Sequence, residues 1–241
     1  MQEPLYHLTP IGKVHSPYKE KFAIPRQPGL VTNATGNIEL IGEANNVELV
    51  RDLKDYSHIW VIFIFHETLE QGWKPLVRPP RLGGNKKTGV LATRSTFRPN
   101  GIGMSVVKLE NVLQKDKSIF IEISGMDLLD QTPVVDIKPY IPYSDSIVNA
   151  TSLIAQEAPK ATLNVEFTEE VNKKIKTEAI EFPNLRDFIT EVLSQDPRPA
   201  YKQNKEDNKI YGIRLYDFNI RWKIKNANTI EVLAFEKEML D

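Results

Sequence analysis

The chain of 241 residues contains no cysteine. Disulfides, thiolate zinc sites, iron–sulfur clusters and cysteine nucleophiles are thereby excluded, and a reducing compartment suits the chain. Cytoplasm is the default expectation. Long apolar runs are missing too: the longest, Ile59 to Phe65, is far too short to span a bilayer, and the opening MQEPLYHLTPIGKV has no basic segment followed by an apolar one. Neither export nor membrane insertion is expected. The histidines His7, His15, His58 and His66 form no His-Glu-x-x-His pair, so a metal would have to be gathered from distant strands with Asp127, Asp130 or Asp136; no metal is assigned. Ser95 lacks a nucleophile-elbow context. No glycine follows Gly101-Ile102-Gly103 three residues on, and the next stretch reads as a strand, which excludes a Rossmann fingerprint. Gly83-Gly84-Asn85-Lys86-Lys87-Thr88-Gly89 lacks the Gly-Lys-Ser/Thr order of a phosphate loop.

One further absence is local and positive in meaning. Between Gln71 and Leu109 there is no aspartate or glutamate, yet Lys74, Arg78, Arg81, Lys86, Lys87, Arg94, Arg98 and Lys108 fall there. The net charge of the whole chain is −1, so these eight cations leave −9 for the rest. Such segregation points to an anionic partner, against the simpler reading of a basic surface loop. Prolines 75, 79, 80 and 99 and glycines 83, 84, 89, 101 and 103 rule out a long helix and hold the cations on stiffened loops. A second proline-braced loop, KEKFAIPRQPGLV (19–31), presents Arg26 and Gln27 between Pro25 and Pro28.

With 41% hydrophobic and 26% charged residues, the composition is that of a chain able to build a core, and its length allows a larger and a smaller domain. Strands are expected at Ile11 to His15, Asn37 to Ile41, His58 to Phe65, Gly89 to Thr93, Met104 to Val112, Ser118 to Ser124 and Thr132 to Lys138, with one or two helical turns over Val47 to Leu53. About seven strands and hardly a helix make residues 1–150 an all-β domain, a closed barrel or a sandwich. The strand at 58–65 delivers His66 and Glu67 where core gives way to loop.

After Asp145 the texture changes, and residues 151–241 read as a small α+β domain. Leu163, Val165 and Phe167 alternate as a strand, and Thr168 is placed to cap a helix carrying Val171, Ile175 and Ile180. Leu185, Phe188, Ile189, Val192 and Leu193 follow helical spacing up to Asp196-Pro197-Arg198-Pro199. Tyr211 to Leu215, Phe218 to Lys225 and Thr229 to Phe235 then form a three-stranded antiparallel sheet. The mixture of cations with Tyr201, Tyr211, Tyr216, Phe218 and Trp222 suits stacking on bases and contact with phosphate; it equally suits a sheet with a charged outer face. From the residues alone, an anionic ligand, nucleic acid first, is the expectation.

Five stretches together carry a resemblance: KEKFAIPRQPGLV, DYSHIWVIFIFH, RPPRLGGNKKTGVLATRSTFRPNGIGMSVVKL, DLLDQTPVVDIKPYIPY, and DPRPAY with DFNIRW. In this order, over nearly the whole chain, they closely resemble the bacterial tRNA adenine-N6-methyltransferases that act on threonylcarbamoyladenosine beside the anticodon, a TsaA-like β-barrel family. The resemblance implies a mainly β fold, a TsaA-like barrel with a smaller α+β C-terminal domain, working as a homodimer with S-adenosylmethionine. It also implies that the partner is a tRNA anticodon stem-loop carrying threonylcarbamoyladenosine. By motif, the cofactor contacts would be Pro25, Arg26, Gln27, His66, Glu67, Arg94, Met104 and Ser124, Gly125, Met126 and Asp127. Candidate tRNA contacts are Arg78, Arg81, Lys86, Lys87, Arg98, Arg198, Tyr201 and Arg221; for Arg198 and Tyr201 the alternative is a turn bracing the two domains. The resemblance names no catalytic residue. The family pattern has proline after FRPN, and here Gly101 stands there, loosening the loop that leads into Ile102-Gly103-Met104. Two competing readings are a non-catalytic RNA-binding barrel and a metal-dependent hydrolase using His66 and the downstream aspartates.

Overall fold

The computed structural model describes residues 5–79, 86–152, 155–161, 163–199, 202 and 207–238. The strands in chain order are β1 (Gly12–His15), β2 (Thr35–Leu40), β3 (His58–Ile64), β4 (Leu76–Val77), β5 (Thr88–Gly89), β6 (Ile102–Lys115), β7 (Ser118–Ser124) and β8 (Pro133–Pro139). Six of them close into an antiparallel barrel in the order β1-β2-β7-β6-β3-β8. β4 and β5 form a separate two-stranded ladder.

Alternation decides which side chains fill the barrel. Ile119, Ile121 and Ile123 of β7 point inward, as do Ile59, Val61 and Phe63 of β3, Ile38 of β2 and Val107 and Leu109 of β6, and all are buried. β3 reads as a continuous apolar run, yet only alternate residues are buried, so Trp60, Ile62 and Ile64 are half-buried on the outer side. Closure is uneven. β3 and β6 pair over seven residues, from His58↔Lys108 to Ile64↔Ile102. β1 and β8 pair over two, Gly12↔Val134 and Lys13↔Pro133.

The strand expected over Gly89 to Thr93 ends at Gly89, and Val90–Ala92 is a 3-10 turn instead. Val47–Val50 and Leu53–Asp55 are the expected short turns, also 3-10. β6 is longer than read from the sequence because its pairing with β7 continues past a bulge at Glu110 to Lys115↔Ser118, beyond the reach of its apolar alternation.

After the short helix α1 (Pro142–Asp145) come β9 (Asn164–Phe167), α2 (Glu169–Glu178), α3 (Leu185–Ser194), β10 (Tyr211–Leu215), β11 (Phe218–Asn226) and β12 (Thr229–Lys237). The Thr168 hydroxyl caps α2 by accepting from the Val171 amide. That helix stops at Glu178, so Ile180 does not join its buried face and is exposed. All five apolar residues read on α3 are buried. The sheet has four strands rather than three, in the order β10-β11-β12-β9, because β9 adds parallel to β12.

Candidate active site

Antiparallel pairing sets the C-terminal end of β3 beside the N-terminal start of β6, with Ile64 opposite Ile102. Around that end gather the β1–β2 loop, the 3-10 turn His66–Gln71, the loop from Thr93 to Arg98 and the segment after β7. They enclose a cavity of about 750 Å³, the size of a small-molecule site. Pro25, Arg26, Gln27, His66, Glu67, Arg94, Met104 and Asp127 all line it, as does Arg98. Residues as far apart in sequence as Pro25 and Asp127 therefore meet.

The rim is cationic and cross-linked. Arg94 donates to Gln27 Oε1 at 2.5 Å, while Gln27 Nε2 donates to the Arg26 carbonyl. Arg98 donates to the Thr93 carbonyl at 3.3 Å. Apolar walls come from Phe63, Phe65, Ile64 and Leu128. The floor carries one carboxylate, Asp127, which accepts from the Ser105 hydroxyl at 2.5 Å. Burial pushes the Asp127 carboxyl up to about 6, against the lowering pull of Ser105, its own backbone amide and Arg94. Ser105 sits on the inward row of β6 between Gly103 and Val107, where an apolar residue is otherwise the rule. A polar residue on that row was the sequence signal for the floor, one that the motif reading passed over.

Three of the candidate cofactor contacts do not present side chains to the cavity. Ser124 is buried with its hydroxyl bonded to Glu110 at 2.5 Å. Met126 is fully buried under Gly36. Gly125 takes a left-handed φ of +69°, and its carbonyl accepts from the Gly29 amide at 2.8 Å, tying this segment to the proline-braced loop. The resemblance offers the backbone groups of 124–127, not these side chains, to an adenine edge, and the same backbone sets the position of Asp127.

The candidate tRNA contacts divide. Arg78, Lys86 and Lys87 are exposed, with no carboxylate partner among the described residues. Arg81 and Tyr201 lie outside the described residues, as do positions 83–85 of the glycine-rich stretch. Arg198 is a correction: its side chain is 2% exposed and pairs through Nε with Asp196 at 2.8 Å, so it braces the turn after α3 and offers no donor to a phosphate. Arg221 is half-exposed but paired with Glu236, and Lys223 and Lys225 are similarly paired with Glu231. Trp222 and Phe218 are core side chains and Tyr211 stacks on Trp222 at 4.8 Å. The basic-aromatic segment is thus a sheet with a charged outer face. No three histidine or acidic side chains among the described residues converge as a metal site would need.

Gly101 has φ +60° after Asn100 at +64°, and its amide donates to the Arg98 carbonyl at 3.1 Å. A proline, fixed near −65° and without an N–H, fits neither requirement. Gly101→Pro, which would install the residue that the resemblance expects there, should therefore destabilise this chain by about 2 kcal/mol. Thermal melting checks it, and an unchanged or higher Tm would refute it.

Comparison with known proteins agrees with this architecture. Residues 13–146 match the tRNA-methyltransferase O N-terminal domain, and residues 160–238 match the TrmO C-terminal domain. The chain is 52% identical over 231 residues to the tRNA (adenine(37)-N6)-methyltransferase of Escherichia coli (strain K12), covering 96% of this chain and 98% of that protein. It is 44% identical over 229 residues to a putative S-adenosylmethionine-dependent methyltransferase, RcsF, of Pseudomonas aeruginosa, covering 95% and 96%. A crystal structure of TrmO from Pseudomonas aeruginosa superposes with a TM-score of 0.81 at 36% identity, covering 98% of this chain and all of that one.

Proposed function

The chain belongs to the tRNA-methyltransferase O family, and from that premise we propose that it is an S-adenosylmethionine-dependent tRNA methyltransferase acting on N6 of the adenine beside the anticodon, in its threonylcarbamoylated form. The observation that carries the reading is the convergence of Pro25–Gln27, His66–Glu67, Arg94, Met104 and Asp127 on one cavity. In this reading residues 1–150 form the catalytic domain and residues 151–241 an accessory domain.

The cavity fits the cofactor in size and in chemistry. Arg26 and Arg94 suit a carboxylate, the phenylalanine and leucine walls suit a purine face, and Glu67 suits ribose hydroxyls. When bound, S-adenosylmethionine supplies a methyl group already activated by sulfonium charge. The protein then has three tasks: to orient the adenine, to exclude water and to take one proton, because the N6 lone pair is delocalised and N6 cannot keep its hydrogen as the new N–C bond forms. Asp127 is the carboxylate we assign to that proton. It lies on the floor, its partner Ser105 occupies one oxygen, and a pKa near neutrality suits a general base.

Arg78, Lys86 and Lys87 are the cations we assign to anticodon-loop phosphates, on the same acid-free stretch that supplies Arg94 and Arg98. A homodimer fits the large apolar side chains left exposed between positions 69 and 104, namely Leu69, Trp73, Leu76, Leu91 and the cavity-lining Met104. The cytoplasm is where such a substrate would be met. No helix among the described residues is long and apolar enough to cross a membrane.

Isothermal titration with S-adenosylmethionine tests the proposal. The intact protein should bind, and Arg94→Ala should bind about tenfold or more weakly, since a charge-assisted hydrogen bond and the anchor of Gln27 go together. Equal affinity would remove Arg94 from the site. Absence of binding by the intact protein, alone or with tRNA, would instead favour an RNA-binding barrel without a methyl donor.

A further inference from the structure

The loop that carries Pro25, Arg26 and Gln27 is gripped from outside the barrel at both ends. Where the chain leaves β1, the Tyr216 amide donates to the Pro17 carbonyl at 2.8 Å, and Tyr18 forms a β-bridge with Leu215. The Tyr18 ring is wholly buried against Phe188 of α3, with centroids 5.8 Å apart. Where the chain returns towards β2, one carboxylate takes three bonds: Glu191 of α3 accepts from the Thr32 hydroxyl at 2.8 Å and from the Asn33 amide and side chain at 2.9 Å each. The Tyr216 hydroxyl adds a bond to Thr35 at 3.1 Å. Between these points the barrel itself holds the loop through Gly29 to Gly125 and Gln27 to Arg94.

These grips are unequal. The pair between Arg214 and Glu20 is about half-exposed on the arginine side and contributes little. Glu191 is different, because two of its three bonds go to Asn33 and fix both backbone and side chain there, and a charged acceptor roughly doubles the strength of each bond. The Tyr18 phenol, buried without a hydrogen-bond partner among the described residues, is raised by burial first and then by the charges of Asp127 and Glu191 together with Tyr216. The Tyr18 carbonyl also accepts from the Asp130 amide at 3.0 Å, which ties this grip to the segment that follows Asp127.

We infer that Glu191 is a positioning residue for methyl-donor binding: α3 of the C-terminal unit, through Thr32 and Asn33, sets the cavity-facing conformation of the Pro25–Gln27 loop. This rests on the proposed function above for the identity of the ligand. It gives the C-terminal unit a task within the donor site that is separate from any contact with RNA. A loop released at one end samples more conformers, and apparent affinity falls by the fraction that remains competent.

The full-length chain tests this with two readouts. In the ligand-free protein, Glu191→Ala should speed tryptic cleavage after Lys21 and Arg26 about tenfold, and Glu191→Gln, which keeps an oxygen for the Asn33 amide, should restore much of the protection. With S-adenosylmethionine, Glu191→Ala should raise Kd and KM for the donor about tenfold while kcat at saturating donor falls less than twofold and tRNA affinity holds. Adding Thr32→Val and Asn33→Ala to Glu191→Ala should cost little more, as expected for members of one coupled unit. Unchanged cleavage overturns the inference. So does faster cleavage with unchanged donor affinity, or loss of tRNA affinity alone. If the intact protein bound no donor, the proposed function would fall, and the ligand-identity part of the inference with it; the cleavage rates would still decide whether Glu191 holds the loop.

Discussion

Replacing Asp127 by asparagine is expected to give a ligand-free protein that is more stable near pH 7.5 and an enzyme at least about a hundredfold slower, the usual minimum for losing a general base. Both effects follow from the same half-buried, poorly solvated carboxyl. Its pKa is about 6 in the folded chain against an ordinary 3.8, so the folded state holds this proton more tightly than the unfolded state does. Stability contributed by the protonated form is complete below 3.8 and is lost as pH rises through 6; above that the folded chain carries an ill-solvated charge. Asparagine keeps an oxygen for Ser105 and removes the charge, which should recover on the order of 2–3 kcal/mol at pH 7.5 and nothing near pH 3. Activity runs the other way. Wild-type kcat/KM, which reports the ligand-free protein, should climb with pH up to about 6 and level off, and the residual rate of Asp127→Asn should lack that limb. Melting curves at several pH values and a kcat/KM profile measure the two. If kcat survives and only donor affinity falls, Asp127 reads the donor and takes no proton.

Gly36→Ala should be the most damaging single methyl in the barrel. A Cβ there would stand 2.3 Å from the His15 carbonyl oxygen and 2.5 Å from the Met126 methyl. Met126 can swing aside, but the carbonyl belongs to the paired strand β1, so β1 and β2 must part. The cost is about 3 kcal/mol or more, with Tm lowered by roughly 6–12 °C in a chain of this size. Shortening the movable neighbour by Met126→Ala in the same chain should restore only a minor part. A full rescue would show that the sulfur side chain, and not the strand contact, sets the limit. Because Met126 directly precedes Asp127, donor affinity should fall with stability in Gly36→Ala.

The barrel was legible wherever one face of a strand is wet. β7 alternates isoleucine with polar residues, and its ends were read to the residue. β3 was harder in detail, since Trp60, Ile62 and Ile64 make its outer side apolar as well, and period-two burial cannot be seen in a run without polar partners. Of the residues that line the cavity, the arginine loop, His66, Glu67, Arg94, Met104 and Asp127 are the ones the family resemblance picks out, because each falls inside one of its quoted motifs. Ser124 and Met126 sit in the same motif as Asp127, yet a hydroxyl taken by Glu110 and a methionine packed under Gly36 are facts of the folded neighbours. For Arg198 the sequence leaves two readings open, a tRNA contact and a bracing turn, for a similar reason: only the folded pairing with Asp196 separates them. Glu191 gave no sign at all. Its partners are 158 and 159 positions away, and on its helix it is one acid among several polar residues.

The unequal closure of the barrel carries a mechanical consequence. Seven paired residues join β3 to β6, whereas two join β1 to β8, and one of those, Pro133, has no amide to donate. The cylinder is therefore better pictured as a ribbon rolled up and tacked along one short seam. Bonds from the Ile11 amide to Val134 and from the Val14 and Gln131 amides to Thr132 and Val14 lengthen that seam, yet its ladder is the shortest of the six, and thermal breathing of the wall is expected to begin there. The seam borders both the start of the loop that leads to Arg26 and the turn that follows Asp127. A molecule bridging those two segments would act as a rivet across it, so filling the cavity would tighten the whole cylinder from its weakest edge.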